Sequence, residues 1–329
     1  MTQRLTAWLA PLCLAFALLA AMPAVAQLTQ SPGPASPATK EDVPIYRPEQ
    51  DKLLGRVSIP DGKLAVLVQP EGRAWREFRT FWLRTGTAAL ILGFAALLLA
   101  FYLIKGRIRL ESGWSGVTVP RFNALERAGH WLTATSFILL ALSGLVVTFG
   151  RSLLIPLIGH SAFTGLAEAS KYAHNFLSVP FVLGVLLIGA LWIRDNLPEK
   201  ADLEWLRQGG GFLSGGRVHH EAGRFNAGQK GIFWVVVLGG LGMAATGYLL
   251  MMPFSMTGIG GMQTAHLIHA VLGAVMMAVI IAHIYIGTIG MEGAFDAMGS
   301  GQVDANWARE HHRRWYERLH GREGSAPAE

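Results

Sequence analysis

Five stretches of about twenty residues, almost free of charge, dominate this chain: 85–104, 131–149, 174–193, 232–252 and 265–289. A helix rises about 1.5 Å per residue, so each stretch is long enough to cross a hydrocarbon core of about 30 Å. In lipid the backbone must satisfy its own hydrogen bonds, which leaves the helix as the form open to runs of this length. Composition agrees, with 51% of the 329 residues apolar and 15% charged. The pI near 9.7 does not mark a nucleic-acid binder, because the Lys and Arg residues gather in segments flanking the apolar runs. The sequence therefore predicts an all-α membrane protein.

The first 26 residues read as a secretory signal, with Arg4 at the positive start, an apolar stretch and Ala24-Val25-Ala26 as the cleavage site. Cys13, the sole cysteine, leaves with it, so the mature chain has no thiolate for an iron–sulfur cluster or a covalent haem. Residues 27–48 are rich in Pro, Ala and Ser and read as an exported linker. A small β-hairpin is expected where Val57-Ser58-Ile59 and 64–68 flank Pro60-Asp61-Gly62. Together 27–84 forms a periplasmic linker with a small docking segment, and Trp75, Phe78, Phe81 and Trp82 mark the outer headgroup level.

Orientation follows from the cations. Lys105, Arg107, Arg109, Arg121 and Arg127 place the 105–130 connection in the cytoplasm. Alternation then puts 194–231 and the 291–329 tail inside as well, and both are Arg-rich, whereas the 253–264 connection carries no charge. The 150–173 segment reads as a short outer loop. The expected protein sits in the bacterial inner membrane, multi-pass, with its mature N-terminus periplasmic and its C-terminus cytoplasmic.

Four histidines lie at the edges of these runs. His269 and His283 share one helix and are 14 residues apart, about 21 Å along the axis and within roughly 40° of one face. His174 opens the third run at the outer side, and His130 opens the second at the inner side. Depth pairs His174 with His269 and His130 with His283. Two pairs of neutral imidazoles at two depths are what two six-coordinate b-type haems require. A single histidine at a membrane edge more simply faces headgroup water, but four in depth-matched pairs do not. His266 is a competing outer ligand, rotated about 100° from the face of His283. His160, His219, His220, His311, His312 and His320 fall in predicted loops or tail and read as solvated. Gly129, Gly144, Gly184 and Gly273 allow close approach of a porphyrin or of a neighbouring helix.

Several motifs carry a resemblance. Glu126-Arg127-Ala128-Gly129-His130-Trp131, Tyr172-Ala173-His174, Arg224-Phe225-Asn226-Ala227-Gly228-Gln229-Lys230, Leu267-Ile268-His269-Ala270, His283-Ile284-Tyr285 and the tail from Trp307 to Tyr316 resemble the cytochrome b subunit of bacterial respiratory formate dehydrogenases. The resemblance covers roughly 120–318 and implies a di-haem four-helix core at 131–290, to which 85–104 adds one extra N-terminal transmembrane helix. It implies an iron–sulfur subunit and a molybdenum or tungsten pterin subunit that oxidises formate, both on the outer side. Electrons would enter at His174 and His269, pass to His130 and His283, and reduce quinone near the cytoplasmic face.

The resemblance also implies a quinone pocket at Asn226, Gly228 and Gln229, whose amides and exposed backbone suit a quinone carbonyl. Asn-Ala-Gly-Gln read alone is an ordinary helix start with a polar cap. Glu221, Asp195 and water are open as proton donors, and Arg127 and Arg194 as partners of haem propionates. Two alternatives stay open: the cytochrome b of a hydrogenase or other quinone-linked oxidoreductase, and a haem-free membrane anchor or transporter.

Overall fold

The computed structural model describes residues 43–47, 52–57, 70–207, 209 and 222–323. The predicted signal, most of the linker, the hairpin expected around Pro60-Asp61-Gly62, and His219, His220 and Glu221 lie outside the described residues. The chain divides into two units, one of residues 20–82 and one that includes 83–329.

In the first unit, β1 (Val43–Arg47) pairs antiparallel with β2 (Lys52–Val57), with a bulge between Ile45 and Tyr46. This strand pair lies upstream of the expected hairpin and takes the end of the expected linker. Val43, Ile45 and Tyr46 supply β-forming residues that the surrounding prolines mask in composition. A short helix, α1 (Pro70–Glu77), and a π-helical turn from Phe78 to Leu83 follow.

The second unit begins with α2 (Arg84–Lys105), whose Leu92, Leu97, Leu99, Leu103 and Ile104 are exposed as a lipid-facing surface. Four long helical segments follow: α3 (Ala124–Leu153), α4 (Ile155–Trp192), the segment formed by α6 (Ala227–Trp234), a π-turn and α7 (Gly240–Met251), and α8 (Ile259–Tyr285), which is prolonged by a π-turn to Gly290. Between α4 and α6 lies the short α5 (Lys200–Arg207). Among the described residues, five helices are long and apolar enough to span a membrane. One difference is instructive: 150–173 is helical except around Leu154 and a break at Gly159, whose φ of 78° ends one helical stretch and starts the next. The expectation of a loop followed the end of the apolar run, but a helix need not stop where the membrane does. The stretch of α4 after that break, 160–192, is about 50 Å long.

Between the helices the core is formed by Phe181, Val185 and Met276. The helices of the first hairpin touch closely: a Cβ on Gly184 would lie 3.1 Å from the Thr133 backbone nitrogen, so α3 and α4 meet backbone to backbone.

At one end the bundle carries a folded cap, where a loose tail was expected. β3 (Thr118–Pro120) pairs with β4 (Gln302–Asp304), and Ile108 bridges Met291. Val119, Phe122, Trp192, Phe225, Phe233, Val303, Trp307 and Trp315 form its core. The segments after α2, before α6 and after α8 thus share one end of the molecule. Arg127 is committed there, donating to the carbonyls of Met298 (3.3 Å), Gly299 (2.5 Å) and Ser300 (2.8 Å). It caps the C-terminus of the short helix α9 (Asp296–Gly299).

His312 corrects the expectation of a solvated tail. It lies between α10 (Ala305–His311) and α11 (Arg313–Glu323), fully buried. Its Nδ1 donates to Gly223 O (2.9 Å) and its Nε2 accepts from Arg121 (3.0 Å). Burial, then the Arg121 charge, hold it well below its usual protonation range. Arg121 lies against Phe122, Trp307 and Trp315, with ring centres 4.8–5.2 Å away. Burial, then Arg224, draw its pKa down to about 9.

The cap also exposes an internal repeat. Arg121-Phe122-Asn123-Ala124 opens α3 and Arg224-Phe225-Asn226-Ala227 opens α6. Each arginine donates to the other's carbonyl, at 2.7 and 3.2 Å, and the two phenylalanines stack at 5.8 Å. Each asparagine caps its helix in a reciprocal box with the residue three further on, Glu126 or Gln229. Ten residues after each arginine stands a tryptophan, Trp131 or Trp234, whose indole donates to a cap carbonyl at 3.0 Å. The four-helix core is thus two related helix hairpins whose first helices start from the same end.

Candidate functional site

Helix α8 carries His269 and His283 at two levels. At the level nearer the cap, His130 in the second turn of α3 faces His283, with ring centres 6.1 Å apart. At the far level, His174 on α4 faces His269 at 6.2 Å. Metal–nitrogen bonds of about 2 Å, plus about 1 Å from each nitrogen to its ring centre, put two imidazoles on one ion about 6 Å apart. Both pairs therefore stand at the separation of two axial ligands on a single iron. The sequence expectation of which histidines share a depth agrees with these distances. His266 lies one turn before His269 and is half-buried.

The far pair is oriented by groups that sequence reading passed over. His174 Nδ1 lies 3.0 Å from Leu140 O and 3.0 Å from Ser143 Oγ. A carbonyl can only accept, so Nδ1 carries the proton and Nε2 keeps its lone pair. Thr246 Oγ1 lies 2.9 Å from His269 Nδ1 and itself donates to Gly242 O at 2.8 Å. Its proton being used, it accepts from His269, and the same tautomer results. The next residue on each helix is glycine. A Cβ on Gly144 or Gly247 would lie 3.2 Å from Cε1 of His174 or His269, so their absence lets each ring lie against the backbone. The signal was present in the repeat: Ser143-Gly144 and Thr246-Gly247 each stand 22 residues after their Arg-Phe-Asn-Ala arginine.

At the near level, His130 Nδ1 is buried with no hydrogen-bond partner among the described residues. A facing pair with protonated Nδ1 and bare Nε2, lined by glycine, fits a bis-imidazole haem, and the His130–His283 pair faces across the same separation at the second level.

Asn226, Gly228 and Gln229 stand at the start of α6, at the capped end. Asn226 Oδ1 accepts from the Gln229 backbone N–H (2.9 Å), and Gln229 Oε1 accepts from the Asn226 N–H (3.1 Å). Both oxygens serve the helix cap, and among the described residues neither side-chain NH2 donates a hydrogen bond. The space over Gly228 is taken by Trp205 of α5, whose ring edge would come within 2.9 Å of a Cβ there. Lys230 clamps α5 in place, reaching Asp202 (2.9 Å), Leu197 O (3.0 Å) and Glu199 (3.5 Å). Asp195 pairs with Arg224 (2.9 Å), which also holds the buried Glu126 (2.7 Å), while Arg194 is exposed.

The chain is similar to known membrane cytochromes. The chain is 28% identical over 216 residues to the cytochrome b556(Fdn) subunit of the nitrate-inducible formate dehydrogenase of Escherichia coli strain K12, covering 64% of this chain and 96% of that protein. It is 28% identical over 201 residues to the cytochrome b556(fdo) subunit of a formate dehydrogenase of the same strain, covering 60% and 92%. To the formate dehydrogenase cytochrome b556 subunit of Haemophilus influenzae it is 25% identical over 201 residues, covering 60% and 82%. Residues 121–301, which hold all four histidines and both copies of the repeat, match prokaryotic cytochrome b561, and the chain belongs to that family of integral membrane b-type cytochromes.

Proposed function

We propose that this chain is the membrane cytochrome b subunit of a formate dehydrogenase, with one b haem held by His174 and His269 and a second by His130 and His283. The observation that carries the reading is the two facing imidazole pairs, each at the separation of ligands on one iron, at two depths along α8. The relatives named as formate dehydrogenase cytochrome b556 subunits supply the partner. The haems, once bound, would supply one-electron transfer along the bundle between an iron–sulfur protein at one face and a quinone at the other. A b-type cytochrome is not a haem-free anchor, so the transporter alternative falls away.

The chain's own residues define the division of labour. Its one cysteine cannot build a cluster, and the likeness to formate dehydrogenase cytochrome subunits supports an iron–sulfur subunit that supplies the electrons and a molybdenum or tungsten pterin subunit that oxidises formate. Phe181, Val185 and Met276 keep the space between the two levels dry. Lys105, Arg107, Arg109, Arg121 and Arg224 all belong to the capped end, which the positive-inside rule puts in the cytoplasm. The protein then sits in the bacterial inner membrane with the His174–His269 level outside and the partner subunits docked there. Asn226, Gly228 and Gln229 lie at the cytoplasmic end, where the two NH2 groups left over by the capping box orient a quinone carbonyl.

The test is purification with its partners. Two non-covalent low-spin haems per chain, reduced by formate and reoxidised by a quinone, are expected. Reduction by hydrogen and not by formate would assign the chain to a hydrogenase, and a single haem would break the two-pair reading.

A further inference from the structure

We propose that Ser143 and Thr246 are positioning residues that strengthen His174 and His269 as iron ligands, and that the His130–His283 level lacks this device, so that the two levels differ in potential. The inference rests on the reading that each pair holds a haem, and it starts from the internal repeat. His174 and His269 follow matching first helices, α3 and α7, and each meets a hydroxyl at the same place in the repeat: Leu140-Ala-Leu-Ser143-Gly144 in one copy, Met243-Ala-Ala-Thr246-Gly247 in the other. Both hydroxyls donate back to their own helix, Ser143 to Leu140 O at 3.0 Å and Thr246 to Gly242 O at 2.8 Å. Each therefore offers only a lone pair to the histidine, at 3.0 and 2.9 Å. Both imidazoles are held with the proton on Nδ1.

The near level is built differently. His130 lies on the first helix of one repeat and His283 on the second helix of the other, so the two are not equivalent positions. Nine residues after the repeat arginine stands His130 in one copy and Phe233 in the other; fourteen residues after the shared histidine stands Ile188 in one and His283 in the other. No Ser-Gly or Thr-Gly pair is placed against His130, and its Nδ1 finds no acceptor among the described residues. A hydrogen bond from the outer nitrogen of a coordinated imidazole raises its basicity and favours oxidised iron, which lowers the potential. The far level is thus the lower in potential.

The experiment is equilibrium redox potentiometry of the purified complex, following the visible haem bands, with electron paramagnetic resonance of the oxidised low-spin signals. His174→Ala identifies which midpoint and which signal belong to the far level. Ser143→Ala and Thr246→Val are expected to raise the lower midpoint and shift that level's g-values, leaving the other midpoint in place. Ser143→Thr and Thr246→Ser restore both readings. Thr246→Val is nearly isosteric, so the shift is readable even where Ser143→Ala loses its haem. A lower midpoint unmoved in Thr246→Val, or a shift confined to the His130–His283 level, overturns the proposal while the haem reading stands. Wild-type protein without haem overturns the haem reading itself.

Discussion

At the scale of single residues, imidazole positions are the quantity to test. If each facing pair holds one haem, removing either imidazole takes away half of what would hold it, so His174→Ala or His269→Ala should lose the haem of the far level, and His130→Ala or His283→Ala that of the level near the cap. Haem content per chain falls by half in each variant, and retention of both haems in all four variants would sink the assignment. These histidines were legible because helical rise and rotation fix depth and face from spacing alone. Ser143 and Thr246 were not, since a hydroxyl in an apolar run reads as helix packing until the next helix brings a ring to it. His312 was misread for the opposite reason: its basic neighbours Arg313 and Arg314 suggest water, but Trp307 and Trp315 bury it. A histidine held neutral in the fold lets the unfolded chain bind the proton first as pH falls. Its contribution is complete above the usual value near 6.5 and declines as the pH falls below it. The thermal midpoint of the detergent-solubilised protein should therefore drop across that window. His312→Gln keeps a donor for Gly223 and an acceptor for Arg121 but does not titrate, so it should remove His312's share of the drop.

At the scale of elements, the start of α6 is a helix cap, and the proposed quinone contact would draw on the same residues. Its capping box explains why Asn-Ala-Gly-Gln reads as a helix start, and an Asn226→Ala change would cost about 1 kcal/mol of helix stability whatever else it did. Asn226→Asp separates the roles, since the carboxylate keeps the cap acceptor and loses the NH2 donor. We expect it to leave haem content unchanged and to weaken quinone binding by up to roughly tenfold, the size of one net polar contact. Wild-type quinone kinetics in both Asn226→Asp and Gln229→Glu would leave the motif as a cap alone. Gly228→Leu should do more, by driving Trp205 and with it α5 off the site. The apolar spans were legible because composition alone sets them. The helix through 155–173 and the ordered cap were not. The first was missed because a helix can continue beyond the run that marks a span, and the second because the pairing of segments far apart in sequence, such as 118–120 with 302–304, orders it.

At the scale of the whole molecule, the two levels are set along α8 by His269 near its middle and His283 near its end, 14 residues or about 21 Å apart along the axis. Vectorial transfer makes a reciprocal demand on such an arrangement. In the complex lacking the haem proposed for the level near the cap, through His130→Ala, formate should still reduce the remaining haem, while quinone turnover stops because the reducing equivalents end on the wrong side of the apolar core. In the complex lacking the other, through His174→Ala, formate should reduce nothing in this subunit, yet added quinol should reduce the haem that is left. The two variants thus exchange which end of the bundle is connected, and neither result follows from general damage, which would abolish both half-reactions together. If quinol reduced the remaining haem in His130→Ala and formate reduced it in His174→Ala, the subunit would run in the opposite sense, with partner proteins on the capped face and quinone at the far end.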